Sequence, residues 1–215
     1  MPQYYPAFLE LRDKPVVLIG GGQETEGKIA SLLNCGARVT IVASQVGPET
    51  QNLAQSGRLT WVRREYQDGD LASAWIAIVG SADHDLNHRA AGEARAHRVM
   101  VNTVDDIPGC DFIAPAVVRR GDLTVAISTG GGSPAMARYT RQELQRLIPE
   151  EWGGVLQVLA DARAEVRRRG LRPDGDRWQE CIDDELMALV RAGALEDATV
   201  RLVRMLAEHP QAAGS

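Results

Sequence analysis

The chain has 215 residues, of which 44% are hydrophobic and 25% charged, and its formal net charge is −5. This acidic balance excludes a general nucleic-acid binder, because phosphate contacts need a basic surface. No apolar run approaches the ~20 residues that span a bilayer, and residues 1–11 do not resemble a signal peptide. The three cysteines are widely spaced and form no CxxC motif, which is typical of a reducing compartment. We therefore expect a cytoplasmic protein without nucleic-acid or membrane partners.

The first half of the chain alternates short β-rich runs with helical stretches, a pattern typical of a parallel sheet covered by helices. The first run, residues 16–19, is wholly apolar, as in a strand buried on both faces. Ile29, Leu32 and Leu33 then follow at helical spacing, with Gly36 as the stop. Further strands are predicted at residues 39–43, 59–62, 75–79 and 99–102, and a helix at residues 85–96.

The second half has a different rhythm. Two β-rich runs, residues 112–118 and 123–128, flank Arg119, Arg120, Gly121 and Asp122, which predicts a hairpin. A glycine-rich loop follows, in which Ser133 can cap a helix that begins at Pro134. Beyond it the pattern is helical, with interruptions near Pro149, at residues 172–175 and near Gly193.

A glycine turn, Gly20-Gly21-Gly22-Gln23-Glu24, stands directly between the first strand and a helix. In this context Gly20 permits a tight turn, Gly22 lets the backbone approach a pyrophosphate, and the helix offers free N–H groups. The alternative is a strand-to-helix turn that binds no nucleotide. We predict an α/β fold with three parts: a Rossmann-type parallel-sheet domain in residues 1–113, a small α+β segment in residues 114–150, and a helical C-terminal domain in residues 151–215.

The residues around the turn leave the choice of cofactor open. Thr25 stands where a third glycine is usual, so we expect slightly looser packing of helix on strand. The end of the second strand carries Ala43, Ser44 and Gln45 in place of the acidic residue that binds a ribose 2′-hydroxyl. An arginine at this place would have indicated NADP, but none is present. Glu24 would repel a pyrophosphate unless it points away.

Three further groups of residues are candidates for chemistry. Asp105 and Asp106 follow the fifth strand, where a carboxylate beside a nicotinamide acts as a general base; a turn or capping role is equally open. The loop at residues 128–134 can present N–H groups and hydroxyls to an anion. Four arginines nearby in sequence could add positive charge to such a site, and the alternative is that they are solvated surface residues: Arg119, Arg120, Arg138 and Arg141. His84 and His88 lack a third ligand, so we expect no metal site.

These motifs, in this order, resemble the precorrin-2 dehydrogenase family, the N-terminal module of sirohaem synthases. The resemblance extends over about residues 4–150 and is carried by the following segments: Pro6-Ala7-Phe8-Leu9, Leu11-Arg12, the Gly20-Gly21-Gly22 turn with Lys28, Ala82-Asp83 with Leu86-Asn87, Asn102-Thr103-Val104-Asp105, Phe112-Ile113-Ala114-Pro115-Ala116, Ser128-Thr129-Gly130-Gly131 and Ser133-Pro134. It departs after the glycine turn, where Glu24, Thr25 and Gly27 replace the family's residues.

The resemblance implies NAD-dependent oxidation of precorrin-2 to sirohydrochlorin, with Asp105 as the catalytic base. NAD is then expected at residues 20–24 and 43–45 and at Ser81 and Ala82. The tetrapyrrole substrate is expected at Asn102, Ser128, Thr129, Gly130, Arg119, Arg120 and Arg138. The resemblance also implies a homodimer formed through the middle segment.

Two alternatives stay open. One is a bifunctional enzyme that also inserts ferrous iron into sirohydrochlorin, again through Asp105. The other is a non-catalytic NAD-sensing module, which explains the glycine turn but neither Asp105 nor the loop at residues 128–134. Because no methyltransferase domain follows, we expect the chain not to be the full trifunctional synthase.

Overall fold

A computed structural model of the protein describes residues 3–104 and 106–208. The chain forms two compact units. The first unit comprises the chain through Ala114 together with Gly130–Gly132, and the second comprises Pro115–Thr129 and the chain from Ser133 onward.

The first unit is a five-stranded sheet in the order β3-β2-β1-β4-β5, and every neighbouring pair of strands is parallel. Its strands are β1 (Pro15–Ile19), β2 (Arg38–Val42), β3 (Thr60–Val62), β4 (Ile76–Val79) and β5 (Met100–Thr103). Its helices are α1 (Gln23–Glu26), α2 (Ile29–Asn34), α3 (Pro48–Gln55) and α4 (His84–Ala96), followed by a 3₁₀ turn at Ile107–Gly109. The predicted parallel sheet is confirmed.

The sheet is buried on both faces. Val16 and Leu18 of β1 pack with Ile41 in one core cluster, while Val17 and Ile19 pack in a second cluster on the opposite face. This alternation explains why the strand is apolar at every position. The strand order reverses at β1, because the chain continues to β2 on one side and β4 lies on the other. In open α/β sheets ligands bind at the carboxyl edge of the sheet beside such a reversal.

The helix predicted after the glycine turn is divided in two, α1 and α2, which corrects the sequence-based expectation of one helix. The Lys28 N–H donates to the carbonyl oxygen of Thr25, three residues back, at 3.2 Å. This tighter bond interrupts the regular spacing. Gly27, at the break, has a low intrinsic helix propensity.

The second unit joins a hairpin to a helical bundle. Strands β6 (Ala116–Arg120) and β7 (Leu123–Ile127) pair antiparallel. The helices are α5 (Pro134–Leu147), α6 (Trp152–Arg168), α7 (Gly175–Glu180), α8 (Asp184–Arg191) and α9 (Leu195–Ala207). The hairpin begins later than predicted, so Arg119 and Arg120 lie in β6 rather than in the turn.

Helices α6, α8 and α9 bury a shared core that includes Val158, Ala162, Leu186 and Leu202. Three of the breaks between helices fall at or next to the predicted interruptions, whereas the break between α7 and α8, at residues 181–183, was not predicted. The predicted fold class is thus confirmed: a Rossmann-type sheet domain, followed by a hairpin segment and a helical region. In the ranges that the structure describes, no helix is both long and apolar enough to cross a membrane.

The loop after β3 is tied to α4 through one carboxylate. Glu93 accepts hydrogen bonds from the backbone N–H groups of Gly69 and Leu71 and a short one from the hydroxyl of Tyr66. Burial, with help from the Glu93 charge, raises the pKa of Tyr66 well above its ordinary value. The folded protein therefore keeps this proton when the unfolded chain loses it.

We expect this tyrosine to make the protein sensitive to alkali. Above pH ~10 the unfolded chain binds fewer protons than the folded protein, so the free energy of unfolding falls as pH rises. In urea titrations between pH 8 and 11, Tyr66→Phe should lose this alkaline decline. Tyr5→Phe, which changes a tyrosine of the first unit that is 91% exposed, should keep it. Identical pH slopes for wild type and Tyr66→Phe would contradict the assignment.

Candidate functional site

The turn after β1 is shaped by glycines for two different reasons. Gly20 has φ +98°, and a Cβ there would lie 2.5 Å from the carbonyl oxygen of Gly80. At Gly21 a Cβ would overlap the carbonyl oxygen of Gln45. These contacts bring the turn against the segments that follow β4 and β2. The carboxyl edge of the sheet is therefore closely packed around the turn.

Gly22 differs from its two neighbours because it is open. A Cβ at Gly22 would have Gly80 as its nearest contact, at 3.8 Å from the carbonyl oxygen. Within the described chain, the N–H groups of Gly22, Gln23 and Glu24 donate to no other group. Three exposed donors at the start of a helical turn form a cradle that suits a phosphate oxygen. A pyrophosphate therefore fits this turn.

Thr25 takes the place of the third glycine without loosening the packing, contrary to expectation. Its side chain is fully buried, and its hydroxyl donates to the carbonyl oxygen of Gly80 at 3.2 Å. Gly80 is also crowded by Val104, whose Cγ2 lies 2.8 Å from the place of a Cβ. The glycine turn and the ends of β4 and β5 thus meet at Gly80.

Glu26 fixes the other side of the turn. Its carboxylate accepts from the N–H of Gly47 at 2.8 Å and from the hydroxyl of Thr50 at 2.5 Å. A cleft of about 530 Å³ opens here and is lined by Gly21, Gln23 and Glu26 among others. The role of Glu26 could not be predicted from the sequence, because its partners lie more than twenty residues away along the chain. Glu24, by contrast, is exposed.

The residues predicted at the end of β2 lie beside β3. Ala43 is buried, and its carbonyl oxygen accepts from the indole N–H of Trp61 at 2.8 Å. Ser44 and Gln45 are exposed. The Ser44 hydroxyl donates to Oε1 of Glu65 at 2.6 Å. The sequence did not predict Glu65, because the acidic residue of such sheets usually stands at the end of β2, whereas Glu65 follows β3.

Ser81 and Ala82 follow β4 at the same edge of the sheet. Asn87 of α4 clamps Ser81: its Oδ1 accepts from the Ser81 N–H at 2.9 Å, and its Nδ2 donates to the Ser81 carbonyl oxygen at 2.8 Å. Asp83 caps α4 by accepting from the N–H groups of Asp85 and Leu86. The segment is therefore held rigidly beside the glycine turn.

Asn102, predicted at the substrate, is buried, and its side-chain amide is engaged within the fold. Its Nδ2 donates to the carbonyl oxygen of Phe112 at 3.0 Å and also contacts the Cys110 sulfur. The Cys110 thiol contacts the backbone of Thr103, and burial raises its pKa. Together they fasten the loop after β5. Asp105, the predicted catalytic base, belongs to this loop but lies outside the residues that the structure describes.

The arginines predicted to bind substrate divide into two kinds. Arg120 is buried, and its guanidinium donates to the carbonyl oxygens of Ile148 and Gln145, each at 2.8 Å, and pairs with Glu150 at 3.0 Å. These contacts make it a structural group that joins β6 to the end of α5. Arg119 and Arg138 are exposed.

The glycine-rich loop is closed at its base by two hydroxyls. Thr129 Oγ1 accepts from the Ser133 N–H at 3.2 Å, and Ser133 caps α5 by accepting from the Met136 N–H. Ser128 is exposed. The predicted substrate residues are shared between the units: Asn102 and Gly130 belong to the first, and Arg119, Arg120, Ser128, Thr129 and Arg138 to the second.

The site shows no preformed metal centre in the part of the chain that the structure describes, where no three His, Cys, Asp or Glu side chains converge. The geometry is therefore that of a phosphate-binding turn at the carboxyl edge of a parallel sheet, with held segments after β4 and β5.

Comparison with protein families gives two matches. A model described as "Putative NAD(P)-binding" matches residues 7–116, and one described as "Sirohaem biosynthesis protein central" matches residues 120–147. A solved structure titled "SirC, precorrin-2 dehydrogenase" has a TM-score of 0.72 at 23% identity and covers 96% of this chain and 100% of its own.

Curated relatives carry the name sirohaem synthase. The one from Xylella fastidiosa (strain M12) is 37% identical over 209 residues, which are 96% of this chain and 44% of that protein. Siroheme synthase 1 from Cronobacter sakazakii is 36% identical over 193 residues, 89% of this chain and 41% of its own length. The chain thus spans less than half the length of these relatives.

Proposed function

This chain belongs to the NAD(P)-binding family whose model matches residues 7–116, and we propose that it oxidises precorrin-2 to sirohydrochlorin with NAD in sirohaem biosynthesis. The resemblance found from the sequence motifs is confirmed. The observation that carries the proposal is the position of the open N–H groups of Gly22, Gln23 and Glu24, which lie after β1, where the strand order of the sheet reverses. The segment that follows this domain matches a sirohaem-biosynthesis family, which supports the choice of substrate.

The glycine turn would hold the pyrophosphate of NAD, and the neighbouring segments would hold its two ends. Gly20 and Gly21 keep the turn tight, and the N–H groups after them donate to phosphate oxygens. Ala43, Ser44 and Gln45 would border the adenosine ribose, and Ser81 and Ala82 the middle of the cofactor. NAD, when bound, supplies the acceptor for a hydride.

Asp105 would take the proton. Oxidation of precorrin-2 removes two electrons and two protons from the macrocycle, as one hydride and one proton. A carboxylate at the carboxyl end of a parallel strand is suited to accept that proton. Asn102 and Cys110 act as positioning residues, because they fasten the loop that carries Asp105.

We assign the carboxylate arms of the substrate to the second part of the chain. Arg119 and Arg138 are exposed, and Ser128, Thr129 and Gly130 lie in the glycine-rich loop that follows β7. Guanidinium groups are well suited to pair with the carboxylates of such a substrate. Arg120 leaves the proposed substrate set, because its donors are used inside the fold. We keep residues 1–113 as the cofactor domain, 114–150 as the substrate and dimer segment, and 151–215 as the helical domain.

The proposal is tested by an anaerobic assay with purified protein, precorrin-2 and NAD, in which sirohydrochlorin is followed by its visible absorption. Exclusion of air prevents oxidation of the substrate by oxygen. We expect product only when both protein and NAD are present. No product from a folded protein that binds NAD would overturn the proposal.

Insertion of ferrous iron would use the same Asp105, so an assay rather than a second site separates the two activities. Anaerobic loss of sirohydrochlorin on addition of ferrous iron, above the rate without protein, would add this activity to the chain. A rate equal to the protein-free control would restrict the chain to dehydrogenation. We also propose a cytoplasmic location, because Cys35, Cys110 and Cys181 form no disulfide, as is usual in a reducing compartment.

The protein is also proposed to be a homodimer that pairs through α5. No residue of α5 is buried, and Met136, Tyr139 and Leu147 are 54%, 58% and 71% exposed on one side of the helix. An exposed apolar face on an amphipathic helix is typical of a protein–protein interface. The sirohaem central model matches this same segment.

We expect wild-type protein to have the mass of a dimer in light scattering and Leu147→Asp to shift it toward the monomer. A charge introduced into an apolar interface is costly to desolvate. Val200→Asp is the matched control, because Val200 is 70% exposed on α9. A monomeric wild type, or a Leu147→Asp protein that stays dimeric, would rule out this interface.

A further inference from the structure

The end of β2 lacks the carboxylate that Rossmann-type sheets commonly use to bind a ribose. Ala43 and Ser44 occupy that place, and Ala43 has no polar side chain. In NAD-binding sheets this carboxylate accepts a hydrogen bond from the ribose 2′-hydroxyl. The 2′-hydroxyl is also the position that carries the extra phosphate in NADP. A cofactor site built only from Ala43 and Ser44 has no charge with which to distinguish the two.

The structure brings a carboxylate to this place from the neighbouring strand. β3 runs parallel to β2, with Val62 beside Val42, so the carboxyl ends of both strands lie at the same edge. The Ala43 N–H donates to the carbonyl oxygen of Val62 at 3.2 Å, which extends the pairing by one step. Glu65 follows three residues later, and its Oε1 accepts from the Ser44 hydroxyl at 2.6 Å.

The second oxygen of Glu65 is available. Within residues 3–104 and 106–208, Oε2 of Glu65 accepts no hydrogen bond, and no cation forms an ion pair with the carboxylate. Both Ser44 and Glu65 are exposed. The pair therefore presents one free carboxylate oxygen to a ligand at the end of β2.

The two arginines next to Glu65 are engaged elsewhere. Arg64 forms a two-pronged ion pair with Asp70, with both N–O distances 2.7 Å. The guanidinium of Arg63 lies over the ring of Trp61, 5.2 Å from its centroid. Neither arginine neutralises Glu65, and Arg64 is not free to bind a phosphate.

We infer that Glu65, held by Ser44, is the residue that makes this site select NAD over NADP. Its free oxygen accepts a hydrogen bond from the 2′-hydroxyl of the adenosine ribose, and its charge repels a 2′-phosphate, which carries nearly two negative charges. Ser44 acts as a positioning residue through its hydroxyl. This inference rests on the proposed use of a nicotinamide dinucleotide by the same sheet edge.

The test measures binding rather than turnover. NAD, NADP and 2′-deoxy-NAD, an analogue that lacks the 2′-hydroxyl of the adenosine ribose, are titrated calorimetrically into wild type and Glu65→Gln. For wild type we expect NAD to bind at least ~10-fold more tightly than NADP, because NADP loses a hydrogen bond to a charged group and brings its 2′-phosphate against the Glu65 carboxylate. Glu65→Gln should weaken NAD ~10-fold, strengthen NADP, and leave the affinity for 2′-deoxy-NAD unchanged.

Two further variants keep the result interpretable. Ser44→Ala removes only the hydroxyl that holds Glu65 and should lower the NAD-to-NADP preference by less than Glu65→Gln does. Asp68→Asn removes another exposed carboxylate of the same loop and should leave the preference unchanged. Glu65 and Ser44 are both exposed, so thermal melts should match the wild type within a few degrees.

The outcomes separate this inference from the proposed function. If wild type binds NAD but Glu65→Gln keeps the same NAD-to-NADP ratio, the role of Glu65 is refuted while NAD binding stands. A wild type that prefers NADP also refutes it and transfers the selection to Arg63. If wild type binds neither dinucleotide, the proposed function itself fails.

Discussion

Replacing Gly21 with alanine is expected to destabilise the first unit by ~3 kcal/mol or more. The new Cβ would overlap the carbonyl oxygen of Gln45, and a backbone oxygen cannot rotate away as the end of a side chain can. The turn after β1 and the segment after β2 would have to separate, which strains a close-packed sheet edge. The measurement is the free energy of unfolding from urea titration monitored by circular dichroism.

The matched control is Gly92→Ala. Gly92 lies within α4, and a Cβ there would meet nothing within 4 Å. Alanine is a better helix former, so this variant should gain about 0.5–1 kcal/mol. If Gly21→Ala were as stable as Gly92→Ala, the contact between the glycine turn and Gln45 would not exist in solution.

Asp105→Asn is expected to lower the rate constant of precorrin-2 oxidation by about 10²–10⁴-fold, the usual contribution of a general base. Asparagine has nearly the shape of aspartate but cannot take a proton at neutral pH. The dissociation constant for NAD should stay within about twofold of the wild type, because the proposed NAD contacts lie on other segments. Single-turnover kinetics with precorrin-2, together with an NAD titration, give both quantities.

Asp106→Asn is the neighbouring control. Asp106 Oδ1 accepts from the Gly109 N–H at 3.3 Å, and asparagine retains that oxygen. We therefore expect this variant to keep most of the activity. Equal losses in the two variants would indicate that the loop needs its carboxylates for shape rather than for proton transfer. An active Asp105→Asn protein would remove Asp105 from the mechanism and reopen a sensing role.

The parts of the fold that could be predicted from the sequence depend on local signals. Val16 to Ile19 is apolar because the strand is buried on both faces, and the glycines that follow are dictated by backbone contacts within the turn. The cap at Ser133 likewise needs only the residues next to it. Such features are set within a few residues of chain and can be inferred from spacing alone.

The features that could not be predicted depend on partners distant in sequence. Glu65 reaches Ser44 only because β3 lies next to β2. Arg120 belongs to an arginine pair that suggested an anion site, yet its partners are carbonyl oxygens 25 and 28 residues away. Asn102 was expected at the substrate, but its amide is used by Phe112 and Cys110. Residue type alone could not distinguish these structural roles from binding roles.

The division of the first helix could be predicted only in part. Ile29, Leu32 and Leu33 have helical spacing, and the structure does place them in α2. The break before α2 arises from the bond between Lys28 and Thr25, and Thr25 is fixed by its hydrogen bond to Gly80, the residue that follows β4. The apolar periodicity is therefore sufficient to predict the helix but not the residue at which it begins.

The most direct measurement follows NADH and sirohydrochlorin together in one anaerobic reaction that starts from precorrin-2, NAD and the wild-type protein. We expect the two products to appear at the same rate and in equal amounts, since each oxidised macrocycle delivers one hydride to NAD. Sirohydrochlorin that forms without NADH, or at the same rate when NAD is omitted, would contradict NAD-dependent oxidation of precorrin-2 by this protein.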